Sequence, residues 1–110
     1  MTYEHQELAA GKWQKLSLAM QMANIGSEVE RTMKWEKQGN REYAEKAFDR
    51  ALELFDLTAD DQKNKKRLKE ILRARESWVD FFFGGNSLRA TDDSWRKYFY
   101  PFNFKARLEY

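Results

Sequence analysis

The chain has 110 residues, enough for one domain with a single core and too few for two. Its 20 basic and 18 acidic residues leave a net charge of +2, so overall charge excludes neither cationic nor anionic partners. There is no cysteine, which rules out a disulfide framework, a thiolate nucleophile and a cysteine zinc site.

With 42% hydrophobic residues, 35% charged residues and a single proline, the composition reads as a helical core in a polar shell. No stretch approaches the ~20 apolar residues needed to span a bilayer, and the N-terminal stretch lacks the apolar run of a leader peptide. A cytoplasmic protein with no membrane partner is expected.

Residues 1–16 show no sustained period and read as an irregular N-terminal arm, with Trp13 and Leu16 packing back onto a single domain over 17–110. Ser17 is placed to cap a first helix, because its hydroxyl can accept a free first-turn amide. Leu18, Met22, Ile25, Val29 and Met33 then form one apolar stripe at helical spacing. Gly39 supplies a left-handed stop after Gln38. Asn40 caps a second helix that buries Ala44, Ala47, Phe48, Ala51, Leu52 and Phe55. A third helix is expected from about Asp61 to Phe83, with Leu68, Ile71, Leu72, Val79 and Phe82 as its apolar side, ending at Gly84-Gly85-Asn86. Thr91-Asp92-Asp93 marks a fourth start, and Pro101 is expected to end or kink that helix. The fold expected is all-α: an antiparallel bundle of three long helices plus a short, Pro-kinked fourth.

Charge is distributed unevenly along this pattern. Residues 41–61 carry seven acids against three bases, a net −4, whereas 62–75 carry seven bases against one acid, a net +6. The basic residues Lys63, Lys66, Arg67, Lys69 and Arg73 form the candidate site, with Lys66, Lys69 and Arg73 in an outward row suited to phosphates or another anionic surface. Ordinary solubilising charge is the plain alternative. Two charges fall on apolar stripes, Arg75 on the third helix and Glu36 on the first. An unpaired buried charge costs several kcal/mol, so Arg75 is expected to pair with Glu36 or Glu28. Trp95, Tyr98, Phe102 and Phe104 are candidate protein contacts, or else complete the core.

Catalytic constellations are missing. The one histidine, His5, lies in the unpatterned arm, where no held geometry for a general base is evident. Glu42, Glu45, Asp49 and Glu53 share a helix face, but it is opposite the apolar stripe, so they read as solvated charge and no metal or other cofactor is expected. Gly84-Gly85-Asn86-Ser87 follows a helix and does not lead into one, unlike a phosphate cradle.

Three resemblances bear on this reading. Gly39-Asn40, Tyr43, Phe48, Ala51 and Phe55 resemble part of one tetratricopeptide repeat, implying close small-aromatic helix packing and an adaptor role. That family places a glycine where this chain has Lys46, which favours one continuous helix. Arg75 through Asp80 resembles the spacing of helical-bundle ribonucleases of the HEPN class, with Asp80 where they carry histidine. Segments Met22–Val29, Lys46–Leu54 and Asp80–Asn86 make the whole chain similar to small uncharacterised bacterial and archaeal helical-bundle proteins, a similarity that implies no activity. The expectation is a non-enzymatic accessory protein that binds nucleic acid, or a nucleic-acid-processing partner, through the basic helix. The alternative is a protein–protein adaptor or homo-oligomer contacting through the aromatic C-terminal segment.

Overall fold

The computed structural model describes residues 11–109. Their regular structure is helical: α1 (Leu18–Lys37), α2 (Arg41–Asp60), a 3-10 helix (Gln62–Arg67), α3 (Leu68–Phe82) and α4 (Asp92–Leu108), with a short 3-10 turn (Trp13–Lys15) ahead of α1. His5 lies outside the described residues. No helix among the described residues is long and apolar enough to cross a membrane.

Local chemistry accounts for the helix ends. Ser17 Oγ accepts from the Met20 amide at 3.1 Å, and Asn40 Oδ1 accepts from the Tyr43 amide at 3.1 Å. Between them, Gly39 takes φ 76°. Its amide donates to Glu36 O at 3.0 Å and the Asn40 amide donates to Trp35 O at 2.9 Å, the paired bonds of a Schellman stop. Thr91 and Ser94 form a reciprocal capping box at the start of α4.

The helices run up and down around one core. Glu28–Arg50 and Glu36–Arg41 contacts set α1 antiparallel to α2. Phe48–Phe82 and Asp56–Arg75 set α2 against α3. Ser17–Glu109 and Glu30–Arg96 set α1 against α4. A run of rings crosses the middle: Phe48 stacks on Phe82 (4.6 Å) and Trp78 (5.4 Å), and Trp78 meets Trp95 edge to face at 5.5 Å. Each such pair contributes about 0.5–1.5 kcal/mol beyond its buried area.

The bundle class expected from sequence is present, with two local differences. α4 is 17 residues long and continues through Pro101. A proline inside a helix costs ~3 kcal/mol, and here Pro101 and Lys97, whose carbonyl loses its donor, are both exposed residues, so the break in the hydrogen-bond ladder falls on the solvent side of α4. Trp95, Phe99 and Ala106 are buried on either side of the proline and hold the helix together across it.

α3 also begins later and faces differently than its pattern implies. Its buried residues are Ile71, Ala74 and Trp78, while Leu72 is 46% exposed. The buried face is rotated by roughly 80° from the expected stripe of Leu68, Ile71, Leu72, Val79 and Phe82 on a 100°-per-residue wheel.

α4 approaches α1 closely because Gly26 has no side chain: a Cβ there would sit 3.0 Å from Cγ of Phe99. Gly26→Val should therefore overpack this crossing, cost about 2 kcal/mol and lower the thermal midpoint by ~10 °C. A calorimetric midpoint equal to or above that of the parent would contradict this packing.

Candidate functional site

The basic segment is anchored from beneath by a buried polar cluster. Asn64 is the one buried residue of the 3-10 helix Gln62–Arg67. Its amide donates to Gln21 Oε1 at 2.8 Å and to Thr58 O at 2.9 Å. Gln21, fully buried, donates in turn to Asp61 Oδ2 at 2.8 Å and to Trp13 O at 2.9 Å. The Trp13 indole donates to Thr58 Oγ1 at 2.9 Å. Asp61 Oδ1 caps the 3-10 helix by accepting from the Lys63 amide at 3.1 Å. Thus α1, the end of α2 and the turn before α1 all fix the elbow from which the cations project.

That geometry sorts the five basic candidates into two sets. Lys63 turns inward, donating to Asp61 Oδ2 and to Gln14 O. Arg67 pairs with Glu70 at 2.7 Å and lies 5.8 Å from the Phe102 ring centre. Lys66, Lys69 and Arg73 are exposed, and none has a carboxylate within ion-pairing distance among the described residues. Lys69 and Arg73 stand one turn apart on α3, and Lys66 precedes them on the 3-10 helix. Lys65 is exposed and equally unpaired among the described residues. It stands beside Lys66 and belongs with the outward set.

The expected pairing of Arg75 with Glu36 or Glu28 is corrected. Arg75 pairs with Asp56 of α2 at 2.6 Å, both side chains being about one-third exposed. The rotation of the α3 face moves Arg75 from the centre of the stripe to its edge, beside α2. Glu36 is exposed and takes Arg41 at 2.8 Å, whose guanidinium also lies 4.2 Å from the Phe82 ring centre. Glu28 is buried although it lies off the apolar stripe, and it bridges α1 and α2 by accepting from Arg31 at 2.7 Å and Arg50 at 3.1 Å. Asp80, which occupies the position of a histidine in the ribonuclease-like spacing, accepts from the Leu88 amide at 3.1 Å and Ser87 Oγ at 3.3 Å. Arg75 and Asp80 thus serve separate structural contacts.

Among the aromatic contact candidates, Trp95 is 4% exposed and belongs to the core. Tyr98 and Phe102 are half-buried, and the Tyr98 hydroxyl donates to Glu70 Oε1 at 3.4 Å. Burial, reinforced by the Glu70 charge, pushes the Tyr98 hydroxyl up, so it stays protonated as a donor. Phe104 is exposed, and it stands between Tyr100 and Leu108, exposed as well, at successive turns of α4. That outward stripe has 100-104-108 spacing, but Pro101 interrupts the sequence signal of a continuous helix. Among the described residues, no group of three or more acidic or histidine side chains is placed to hold a metal.

The electrostatics of the elbow yield a pH test. Burial alone would raise the Asp61 pKa; hydrogen bonds from Lys63 and Gln21 outweigh it and lower the pKa below the ordinary 3.8. A depressed folded-state value stabilises the fold above the ordinary pKa, and the gain is lost as pH falls through the folded value. Asp61→Asn should therefore be less stable than the parent at pH 7, and the gap should narrow in chemical denaturation below pH 4. A gap that is constant between pH 7 and pH 3 would contradict the ionised role of Asp61.

No protein family, curated protein or solved structure matches this chain.

Proposed function

We propose that this protein is a non-enzymatic cytoplasmic accessory protein that binds nucleic acid, alone or within a nucleic-acid-processing assembly, through the basic elbow and the start of α3. The observation that carries the reading is the crowding of cations without carboxylate partners on one short stretch. Several arginines of the bundle meet carboxylates, at Glu28, Glu36, Asp56 and Glu30. Lys65, Lys66, Lys69 and Arg73 meet none among the described residues, although they crowd one short stretch. Like charges held close together repel, and an anionic backbone relieves that repulsion while releasing its counterions. Lys66, Lys69 and Arg73 supply the phosphate contacts, with Lys65 adjacent. Lys63 and Arg67 act from behind, holding the elbow and the α3–α4 side in place.

A second reading is favoured by a different surface. Tyr100, Phe104 and Leu108 are exposed along α4, with the Tyr100 and Phe104 ring centres 6.4 Å apart. Such a stripe suits a protein adaptor or a homo-oligomer. The two readings separate on charge reversal. The triple variant Lys66→Glu, Lys69→Glu, Arg73→Glu should lose oligonucleotide binding by 100-fold or more in fluorescence anisotropy while keeping its helical circular dichroism. The parent's affinity should fall with salt at a log–log slope of about −0.7 per phosphate on single strands, hence ~−2 for three contacts. Undiminished binding by the reversed variant, or salt-independent binding, would remove the nucleic-acid reading. Loss of self-association on Phe104→Ala with the basic residues intact would favour the second.

A further inference from the structure

The row of unpaired cations leads into a cavity. Between α3, the loop 83–91 and α4 lies an open well of about 310 Å³, at the small end of the range for small-molecule sites. Ala74, Ala90, Trp95 and Tyr98 give it a mainly apolar lining, and Arg73 and Arg89 stand in its wall. Arg73 is also the last cation of the proposed backbone track. Neither arginine has a carboxylate partner among the described residues. Arg89 is held in the left-handed region at φ 57°, where residues other than glycine are uncommon. The loop around it is closed by Asn86, whose side chain both accepts from the Ala90 amide at 2.9 Å and donates to Ala90 O at 2.8 Å. Glu70, the acid in the lining, is already neutralised by Arg67 and bonded by the Tyr98 hydroxyl.

A mainly apolar well, with Tyr98 and the largely buried Trp95 in its lining and two uncommitted guanidinium groups in its wall, suits a ligand that is apolar at one end and anionic at the other. We infer that the well receives one unstacked base of a single-stranded nucleic acid, with Arg73 and Arg89 on its flanking phosphates. This rests on the backbone-binding reading above and adds a preference for strand type. Bases in a duplex are stacked and paired and cannot enter a side pocket, whereas a single strand offers them freely. The backbone track alone would accept either form.

Ser77 lines the well, is half-buried and makes no side-chain hydrogen bond among the described residues, so Ser77→Trp fills the cavity without changing charge. The test measures anisotropy of labelled 12-nucleotide oligothymidine and of a 12-base-pair duplex, at one salt concentration, with parent, Ser77→Trp and Arg89→Ala. The parent is expected to bind the single strand at least tenfold more tightly than the duplex. Ser77→Trp should bring single-strand affinity down to the duplex level and leave duplex affinity unchanged, the latter serving as a check on folding. Arg89→Ala should weaken the single strand about fivefold or more with a smaller effect on the duplex. Equal affinity of the parent for both forms, or an unaltered preference in Ser77→Trp, overturns the base-binding role while leaving the backbone track standing. Absence of binding to either form overturns both. Should Ser77→Trp lose duplex affinity too, Ser77→Phe and Arg89→Ala decide: a retained tenfold preference in both counts against the well.

Discussion

One buried amide joins three separate stretches of this chain. Gln21, on α1, holds the Trp13 carbonyl ahead of α1, the Asp61 carboxylate at the end of α2 and the Asn64 amide within the 3-10 helix. Each buried polar group left without a partner costs about 1–3 kcal/mol, and a domain of this size is stable by only about 5–15 kcal/mol in total. The cluster is therefore decisive for the local fold. Within a run of cations that would otherwise repel one another in solvent, Asn64 is the side chain that is buried. Its two bonds tie the segment to α1 and to the end of α2, with the neighbouring cations around it. Lys63 is drawn down onto Asp61 and the Gln14 carbonyl, and Lys65 and Lys66 are left facing outward.

The same elbow explains why the third helix departs from its pattern. A continuous α-helix from Asp61 would carry Asn64 and Arg67 around at 100° per residue. The 3-10 geometry instead eclipses residues three apart and inserts a change of phase before Leu68. α3 then starts with Ile71, Ala74 and Trp78 facing the core, and the ring run from Phe48 through Trp78 to Trp95 locks that phase. Lys69 and Arg73 follow onto the far side. The cationic surface is thus a consequence of packing on its opposite side: the aromatic core sets the rotation, and the polar cluster sets where the rotation begins.

Much of the architecture was readable because it is encoded locally. Ser17, Asn40, Thr91 and Gly39 act within a few residues of themselves, so the caps and the first two helices could be placed from composition and spacing. The apolar stripe from Met22 to Met33 was equally plain. What escaped were features decided over long separations. The partner of Arg75 is Asp56, and nothing near either residue advertises the other. Gln21 sits next to Met22 on the buried side of α1, and a polar residue there is a signal that something buried must answer it. The answering groups, Asp61 and Asn64, lie about forty residues away. Trp95 was ambiguous because an aromatic residue serves a core and an interface equally well. The well beside Arg73 has in its wall Arg89, at a positive φ that sequence propensity gives no reason to expect.

The link between elbow and binding is tested most directly by a change that leaves every charge in place. In Gln21→Leu the net charge and all the surface cations are retained, and only the cluster beneath the basic segment is broken. Fluorescence anisotropy with single-stranded oligothymidine, at a temperature where the variant is folded by circular dichroism, should show affinity reduced by about tenfold relative to the parent. Affinity equal to that of the parent would mean that the cations act as a loose sum of charge, and that the buried cluster does not orient them.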